Sequence, residues 1–237
     1  MTQHKLQDER GFNQVFAPIG STPVRANRRN MWFVAQANRL NARRILEIGC
    51  GTGDAAAHIA MHTTAEVIGV DISDSFLAHA NATHKAPNLR FEKLDLLGDD
   101  PHVLGKFDLI YGNGILHHLV VQLEPVLSIL RSMTQAGGGI AFIEPNLMNP
   151  YCAFIFGTKI GRKWARLEPD EMAFTASGLQ RKAQSSGWLD ISIKTKDFLL
   201  PGIPSSFVGP TIAIEPLLEA TSLISWLAQS HFLTARA

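Results

Sequence analysis

Alternating glycines after an acidic residue form the first stretch of this chain with recognisable chemistry. The stretch reads Glu47-Ile48-Gly49-Cys50-Gly51-Thr52-Gly53 and begins within the apolar run 45–48. Glycine has no Cβ, so such a turn can take positive φ and let a ligand approach the backbone. Residues 54–60 then supply helix formers, and a helix start presents unpaired N–H groups and a positive dipole end to that ligand. The stretch therefore predicts a buried strand, a ligand-binding turn and a helix.

A carboxylate ends the next apolar segment. Val67-Ile68-Gly69-Val70 leads into Asp71, and an acid at the end of a second strand can accept hydrogen bonds from a ribose diol. The glycine spacing bears on which nucleoside is bound. A dinucleotide-binding G-x-G-x-x-G pattern would need glycine at position 54, where this chain has Asp54. The spacing therefore disfavours a nicotinamide-dependent dehydrogenase.

The acid-x-Gly-x-Gly-x-Gly pattern resembles the first motif of the class I S-adenosylmethionine-dependent methyltransferases. Four further segments resemble the second to fifth strands of that family and their following loops: Val67–Asp71, Leu89–Leu96, Phe107–Leu119 and Gly137–Asn146. The resemblance covers roughly residues 42–146. It implies S-adenosylmethionine as the cofactor and says almost nothing about the substrate.

The same resemblance implies a set of cofactor-binding residues. In it, Asp71 binds the ribose, Ile72 lies beside the adenine, and Asp95 with the backbone of the next residue meets the adenine edge. The glycine loop and the Gly112–Asn113 turn hold the methionine end. The complete set is Glu47, Gly49, Cys50, Gly51, Gly53, Asp71, Ile72, Asp95, Leu96, Gly112 and Asn113.

The acceptor side offers two catalytic candidates, His118 and Glu144, because ligands of open α/β sheets lie beyond the carboxyl ends of the strands. A histidine can take a proton from an oxygen or nitrogen nucleophile, although His117 and His118 could also serve packing and cofactor enclosure. Glu144 could accept a hydrogen bond from a substrate, cap the neighbouring loop or pair with Arg131. No metal site is expected, and neither cysteine has metal-ligand spacing.

Strand and helix patterns alternate along the chain, which predicts a parallel sheet covered on both faces. Helices are predicted over 22–40, from Ser73 to about residue 85, from Pro125 onward and over 175–186, with final strands over 189–195 and 231–235. The expected fold class is α/β: a Rossmann-like, doubly wound, mostly parallel seven-stranded sheet with an antiparallel last strand. We expect one methyltransferase domain over 1–237, divided into a helical lead-in (1–43), a cofactor-binding core (44–146) and an acceptor-side, sheet-closing part (147–237).

Composition narrows the class of partner and compartment. The formal charge is +1, with 22 basic and 21 acidic side chains, so no electrostatic footprint for nucleic acid exists. Arg25, Arg28 and Arg29 are expected to solvate a helix face. Two cysteines suit a reducing compartment, and neither a signal-peptide core nor an apolar run of membrane-spanning length occurs. A cytoplasmic protein that binds a small-molecule acceptor is expected, and a homodimer is compatible with these features.

Residues 199–229 form the least charged part of the chain. Between residues 198 and 235 only Glu215 and Glu219 carry a formal charge. Four prolines are expected to break the region, and an amphipathic helix is expected from Leu217 to Leu227. Core packing, a lid over an apolar acceptor and docking on a membrane or partner remain open, although basic residues to meet anionic lipid are missing.

These observations lead to an expected function: methyl transfer from S-adenosylmethionine to a small-molecule acceptor. The later segments of the chain resemble methyltransferases of glycan-related or natural-product pathways. One alternative is a quinone or lipid methyltransferase. Another is a methyltransferase-like cyclase or binding protein that keeps the cofactor as a scaffold.

Overall fold

The computed structural model describes residues 21–221 and 223–237. Seven strands form one sheet in the order β3-β2-β1-β4-β5-β7-β6. The strands are β1 (Arg44–Ile48), β2 (Glu66–Asp71), β3 (Leu89–Lys93), β4 (Phe107–Asn113), β5 (Thr134–Pro145), β6 (Leu189–Lys196) and β7 (Ser230–Arg236). Strands β1 to β5 are parallel, and β7 is antiparallel to both of its neighbours. The predicted fold class is confirmed.

The described residues also form eight α-helices, seven of which lie between strands. They are α1 (Thr22–Arg39), α2 (Asp54–His62), α3 (Asp74–Thr83), α4 (Leu123–Ser132), α5 (Pro150–Gly157), α6 (Lys159–Ala165), α7 (Ala176–Ser185) and α8 (Ser205–Ala220). None of the helices in the described ranges is long and apolar enough to cross a membrane. The first 20 residues of the predicted lead-in (1–43) lie outside the described residues.

Alternate residues of the central strands pack against opposite helix layers. In β1, Leu46 joins a cluster with Leu127 of α4, whereas its neighbour Ile45 joins a cluster with Phe33 of α1 and Ile59 of α2. Side chains on one strand alternate between the two faces, so both faces of the sheet are buried. Helices α4 and α7 cover one face, and α1, α2 and α3 cover the other.

The predicted helix ends are mostly confirmed by side-chain caps. The Ser73 Oγ accepts a hydrogen bond from the backbone N–H of Phe76 at 3.2 Å, and α7 ends before Gly187, which has φ +81°. One start differs from the prediction. Helix α4 begins at Leu123, two residues earlier than expected, whereas α1 begins at Thr22 as predicted.

The helix expected from Leu217 to Leu227 is wrong in position. The helix there is α8, which contains Pro210 and Pro216 and ends before Leu223. Proline removes an N–H group and normally kinks a helix. Most of α8 is exposed, so water can bond to the carbonyls that lose their partners. The helices α5 and α6 were not predicted. In α5 the apolar residues do not fall on one face, so the sequence shows no helical period.

His231 of β7 provides a test of the sheet closure. Burial lowers the pKa of this imidazole to about 4, and its ring nitrogens bond to the Thr195 hydroxyl at 3.0 Å and to the Phe174 carbonyl at 3.2 Å. A histidine that is neutral when folded and titrates near pH 6.5 when unfolded stabilises the fold above pH 6.5. We expect it to cost stability as pH falls towards 4, by about 3 kcal/mol in total.

Urea unfolding of wild type and His231→Gln between pH 7 and 4 measures this effect. The amide keeps one donor and one acceptor but does not titrate, so the variant should lose less stability on acidification. His102→Gln, at an exposed position, is the matched control and should follow wild type. Parallel pH profiles for wild type and His231→Gln would contradict the prediction.

Candidate functional site

Glycine is required in the loop between β1 and α2. Gly49, Gly51 and Gly53 have φ of +63°, +52° and +81°, a region that other residues rarely adopt. A Cβ on Gly49 would lie 2.5 Å from the Ile115 side chain, and one on Gly53 would lie 2.5 Å from Phe91. The loop therefore turns tightly because its neighbours pack directly against the backbone.

Asp71 holds this loop at the end of β2. Its Oδ2 accepts a hydrogen bond from the Gly51 N–H at 2.8 Å, and its Oδ1 accepts one from the Ser73 N–H at 2.9 Å. Each carboxylate oxygen can accept a further hydrogen bond, so the half-buried side chain keeps acceptor capacity for hydroxyl groups. Ile72 beside it is 46% exposed, as a residue that contacts a planar ligand would be. The donor and acceptor set fits a nucleoside.

Glu47 and Cys50 lie beneath the loop rather than on its surface. Glu47 is 3% exposed and accepts a hydrogen bond from the Tyr111 hydroxyl at 2.9 Å. Burial raises the pKa of this carboxyl to about 8, despite that bond. Burial also raises the pKa of the Cys50 thiol, which makes it a poor nucleophile. Both residues support the loop, and Tyr111 belongs to the core.

Asp95 and Leu96 follow β3, next to β2 at the same edge of the sheet. Asp95 is exposed, and its Oδ1 accepts a hydrogen bond from the Leu97 N–H at 3.0 Å. Leu96 is half-buried against the core. The structure therefore places Asp95 on the ligand side of the strand ends, as the predicted adenine contact requires.

The Gly112–Asn113 turn ends β4. A Cβ on Gly112 would lie 2.5 Å from Ile115, so this position also needs glycine. The Asn113 Oδ1 accepts a hydrogen bond from Arg29 of α1 at 3.1 Å. The arginine is a residue that sequence reasoning missed, since its partner lies far along the chain.

The expectation that three arginines of α1 solvate a helix face is wrong for Arg25 and Arg29, whereas Arg28 remains exposed. Arg25 and Arg29 pair with the buried Asp197 at 3.1 and 2.7 Å, and Arg28 pairs with the buried Glu215. Burial lowers the pKa of Arg25 to about 9, with its neighbour Arg29 adding to the effect and Asp197 opposing it. These pairs dock α1 onto the segment after β6.

Glu144 caps the loop after β4, which is one of the roles left open by the sequence. Its Oε1 accepts hydrogen bonds from the backbone N–H groups of Ile115 and Leu116 at 3.0 and 2.8 Å. Its Oε2 accepts a hydrogen bond from the backbone N–H of His117 at 3.2 Å and lies 3.0 Å from the Nδ1 of the same residue. The side chain is 1% exposed, and Arg131 bonds instead to the Gly187 carbonyl. This geometry supports a positioning role for Glu144.

His118 faces two carboxylates that the sequence did not single out. Its Nδ1 lies 3.2 Å from an oxygen of the buried Glu171 and 3.6 Å from one of Glu168. Burial opposes the charged imidazole, but the hydrogen bond and charge of Glu171, with weaker contributions from Glu144 and Glu168, raise the pKa of His118 above its ordinary value. Its ring centroid lies 4.2 Å from that of His117.

The segment that carries Glu171 is fixed by one arginine. The Arg162 guanidinium of α6 donates hydrogen bonds to the backbone carbonyls of Glu168, Pro169 and Glu171 at 2.6 to 2.9 Å. The Glu171 Oε1 in turn accepts a bond from the Glu168 N–H at 3.0 Å. No sequence motif marks this arrangement, because charge-to-carbonyl contacts follow no spacing rule.

Comparison with known proteins agrees with this architecture. A family model described as a methyltransferase domain matches residues 46–140. Trans-aconitate 2-methyltransferase of Deinococcus radiodurans is 42% identical over 77 residues, which are 32% of this chain and 28% of that protein. A tRNA U34 carboxymethyltransferase of Alcanivorax borkumensis is 31% identical over 122 residues, 49% of this chain and 38% of that protein. The chain thus spans less than two fifths of either relative.

One solved structure shows how far the fold extends. An S-adenosylmethionine-dependent methyltransferase from Mesorhizobium loti superposes with a TM-score of 0.57 at 21% identity, covering 82% of this chain and 90% of that one. The likeness shows the fold. The methyltransferase-domain model over residues 46–140 agrees with the family and the cofactor predicted from the glycine loop and the strands that follow it.

The contacts of Glu144 predict that the side chain contributes mainly to stability. Glu144→Ala should lower the unfolding free energy by about 3 kcal/mol or more, since buried N–H groups would lose their acceptor. Glu144→Gln should cost less, because one oxygen remains. Urea unfolding measures both, with the exposed Glu124→Ala as control. A Glu144→Ala variant of wild-type stability would contradict a capping role.

Proposed function

We propose that this chain is a class I S-adenosylmethionine-dependent methyltransferase, and that it transfers a methyl group from that cofactor to a small-molecule acceptor. The observation that carries the proposal is the bond between Asp71 and the glycine loop, which brings a ribose-binding acid and three positive-φ glycines to one sheet edge. The bound cofactor supplies an electrophilic methyl group on a sulfonium. The protein then has to align the acceptor and exclude water.

The residues predicted from sequence divide into contacts and supports. Asp71, Ile72 and Asp95 are exposed or half-buried at the strand ends and would bind the nucleoside. Gly51 and Gly53 would present backbone to the methionine end. Glu47 and Cys50 hold their side chains in the core beneath the loop, and Gly112 packs against Ile115, so these three would fix the loops rather than touch the cofactor.

The acceptor class is proposed from the side chains beyond β4 and β5. His117, His118 and Glu171 offer imidazole and carboxylate groups there, which suits an acceptor with hydroxyl or carboxylate oxygens. Such groups are common to glycan-related and natural-product metabolites, the classes expected from sequence. The main alternative is an apolar quinone or lipid acceptor, and a cofactor-retaining cyclase is the second alternative.

The helix α8 supports the apolar alternative and the proposed lid over 199–229. Both of its acids point inward: Glu215 accepts a hydrogen bond from the Phe198 N–H at 2.7 Å, and Glu219 accepts one from the Asp197 N–H at 3.1 Å. The outer face therefore carries no charge, with Phe207 61% exposed. We propose that this face closes over the acceptor.

A methyl-transfer screen with Asp71→Ala as the control tests the function. Purified chain, labelled S-adenosylmethionine and panels of sugars, phenols, organic acids and quinones should give a product heavier by one methylene unit. Conversion without a mass gain would favour the cyclase, and the absence of cofactor binding by calorimetry would overturn the proposal.

The Asp71→Ala variant measures how much the contact of Asp71 contributes to the free energy of cofactor binding. Asp71→Ala should weaken S-adenosylmethionine binding by about 2–3 kcal/mol, since charge-assisted bonds to the ribose and the brace on Gly51 are both lost. Asp74→Ala, at the exposed start of α3, is the matched control. Equal calorimetric affinities for wild type and Asp71→Ala would remove Asp71 from the site.

His118 is proposed to accept the proton of the acceptor nucleophile. Its Nδ1 faces the carboxylate of Glu171, and a neighbouring carboxylate often orients the ring of a catalytic histidine. His118→Ala should lower kcat by roughly 10²–10⁴-fold and leave cofactor affinity nearly unchanged. The exposed His79→Ala serves as control. A loss below about threefold would return His118 to a packing role.

A further inference from the structure

We infer that His117, His118 and Glu171 form a binding site for a divalent transition-metal ion on the acceptor side of the fold. Each of the three offers one ligand atom, and these atoms lie within 4.8 Å of one another. Within the described part of the chain, this is the one group of three or more His, Cys, Asp or Glu side chains placed closely enough to hold such an ion. The ion is not implied by the methyltransferase fold, and no metal site is predicted from the sequence.

The donor set selects a class of cation. Two imidazoles and one carboxylate suit Zn²⁺ and its neighbours Co²⁺ and Mn²⁺, whereas Mg²⁺ and Ca²⁺ prefer oxygen ligands alone. Three protein ligands leave coordination positions free. A site of this kind can therefore bind an oxygen of a small molecule as well as water.

The spacing of the first two ligands already fits a shared cation. The His118 Nδ1 and the Glu171 Oε1 lie 3.2 Å apart. Two atoms that each lie about 2.1 Å from a zinc ion at a near-tetrahedral angle are about 3.4 Å apart. The ion would take the position between this nitrogen and this oxygen. The ligand atom of His117 lies within 4.8 Å of the other two ligand atoms. A shift of little more than 1 Å would bring it to the spacing of about 3.4 Å expected around zinc.

Outer contacts hold the ligands in place. The Glu144 Oε2 lies 3.0 Å from the His117 Nδ1, which orients this ring and leaves its Nε2 as the ligand atom. A carboxylate behind a metal-bound histidine is a recurrent outer contact. Glu171 is held by the Glu168 N–H at 3.0 Å, and Arg162 fixes the backbone on either side of it. The cluster is therefore organised before any ion arrives.

The inference deepens the proposed function, on which its catalytic consequence rests. In the metal-free cluster the imidazole of His118 would take the proton of the acceptor oxygen. A bound cation would instead supply Lewis acidity that lets the same oxygen release its proton to water. Both act on the same atom of the acceptor. The acceptor class is then one whose oxygen can coordinate the ion, such as a hydroxy acid or a vicinal diol.

A titration of the metal-free chain with Co²⁺ tests the site without any turnover. The experiment uses the His62→Ala background, because His58 and His62 form a stacked pair on α2, with ring centroids 4.2 Å apart, that could bind the probe at the surface. One Co²⁺ per chain should bind and give a visible ligand-field spectrum. Glu171→Gln and His117→Gln should each lower this affinity at least 10-fold, and Glu144→Gln should lower it by 10- to 100-fold.

The outcomes separate this inference from the proposed function. Thermal unfolding confirms that each variant is folded, and His79→Gln is the control for histidine loss. A stoichiometric Co²⁺ spectrum that Glu171→Gln and His117→Gln both weaken supports the site. Unchanged Co²⁺ affinity in folded Glu171→Gln and His117→Gln, or no binding in the His62→Ala background, overturns it. Binding of S-adenosylhomocysteine to the same samples tests the methyltransferase proposal independently, because it needs no metal.

Discussion

The carboxylate of Glu144 joins two parts of the molecule that are distant in sequence. Glu144 lies one residue before the end of β5, and its carboxylate accepts hydrogen bonds from the backbone N–H groups of residues 115–117 and contacts the His117 ring. The same short loop places Ile115 against Gly49 and Gly112, where no Cβ fits. The turn of the glycine loop and the direction of the two histidines therefore both depend on one buried side chain. A full set of hydrogen bonds is what makes its burial tolerable.

A second buried acid, Asp197, holds helix α1 in place. Asp197 follows β6 with φ +78° and receives Arg25 and Arg29 from α1. Arg29 continues to Asn113 at the end of β4. The first described helix is thereby tied to the strand ends where a ligand would lie. Pairing is needed there because an unpaired charge in a buried site would cost several kcal/mol.

Local features of the chain were predictable, and long-range pairing was not. The glycine loop, Asp71 and the Ser73 cap follow from contiguous residues whose backbone preferences are strong, so sequence was sufficient. Arg29 and Glu171 could not be found in this way, since their partners lie on other elements. The same limit explains Glu144, whose capping role depends on a loop that only the folded sheet brings near. The position of α8 was misjudged because proline signals were taken as breaks, although an exposed helix tolerates them.

The place of β7 in the sheet has a consequence for the order in which the sheet is completed during synthesis. Strand β7 lies between β5 and β6 and pairs with both. Strands β5 and β6 emerge from the ribosome before β7. Until β7 is synthesised, each of them has an unpaired edge. Unpaired edges recruit other chains, and distant pairings form slowly. A nascent chain stalled before residue 230 would thus leave β6 without its neighbour, and this interval is when a chaperone would matter most.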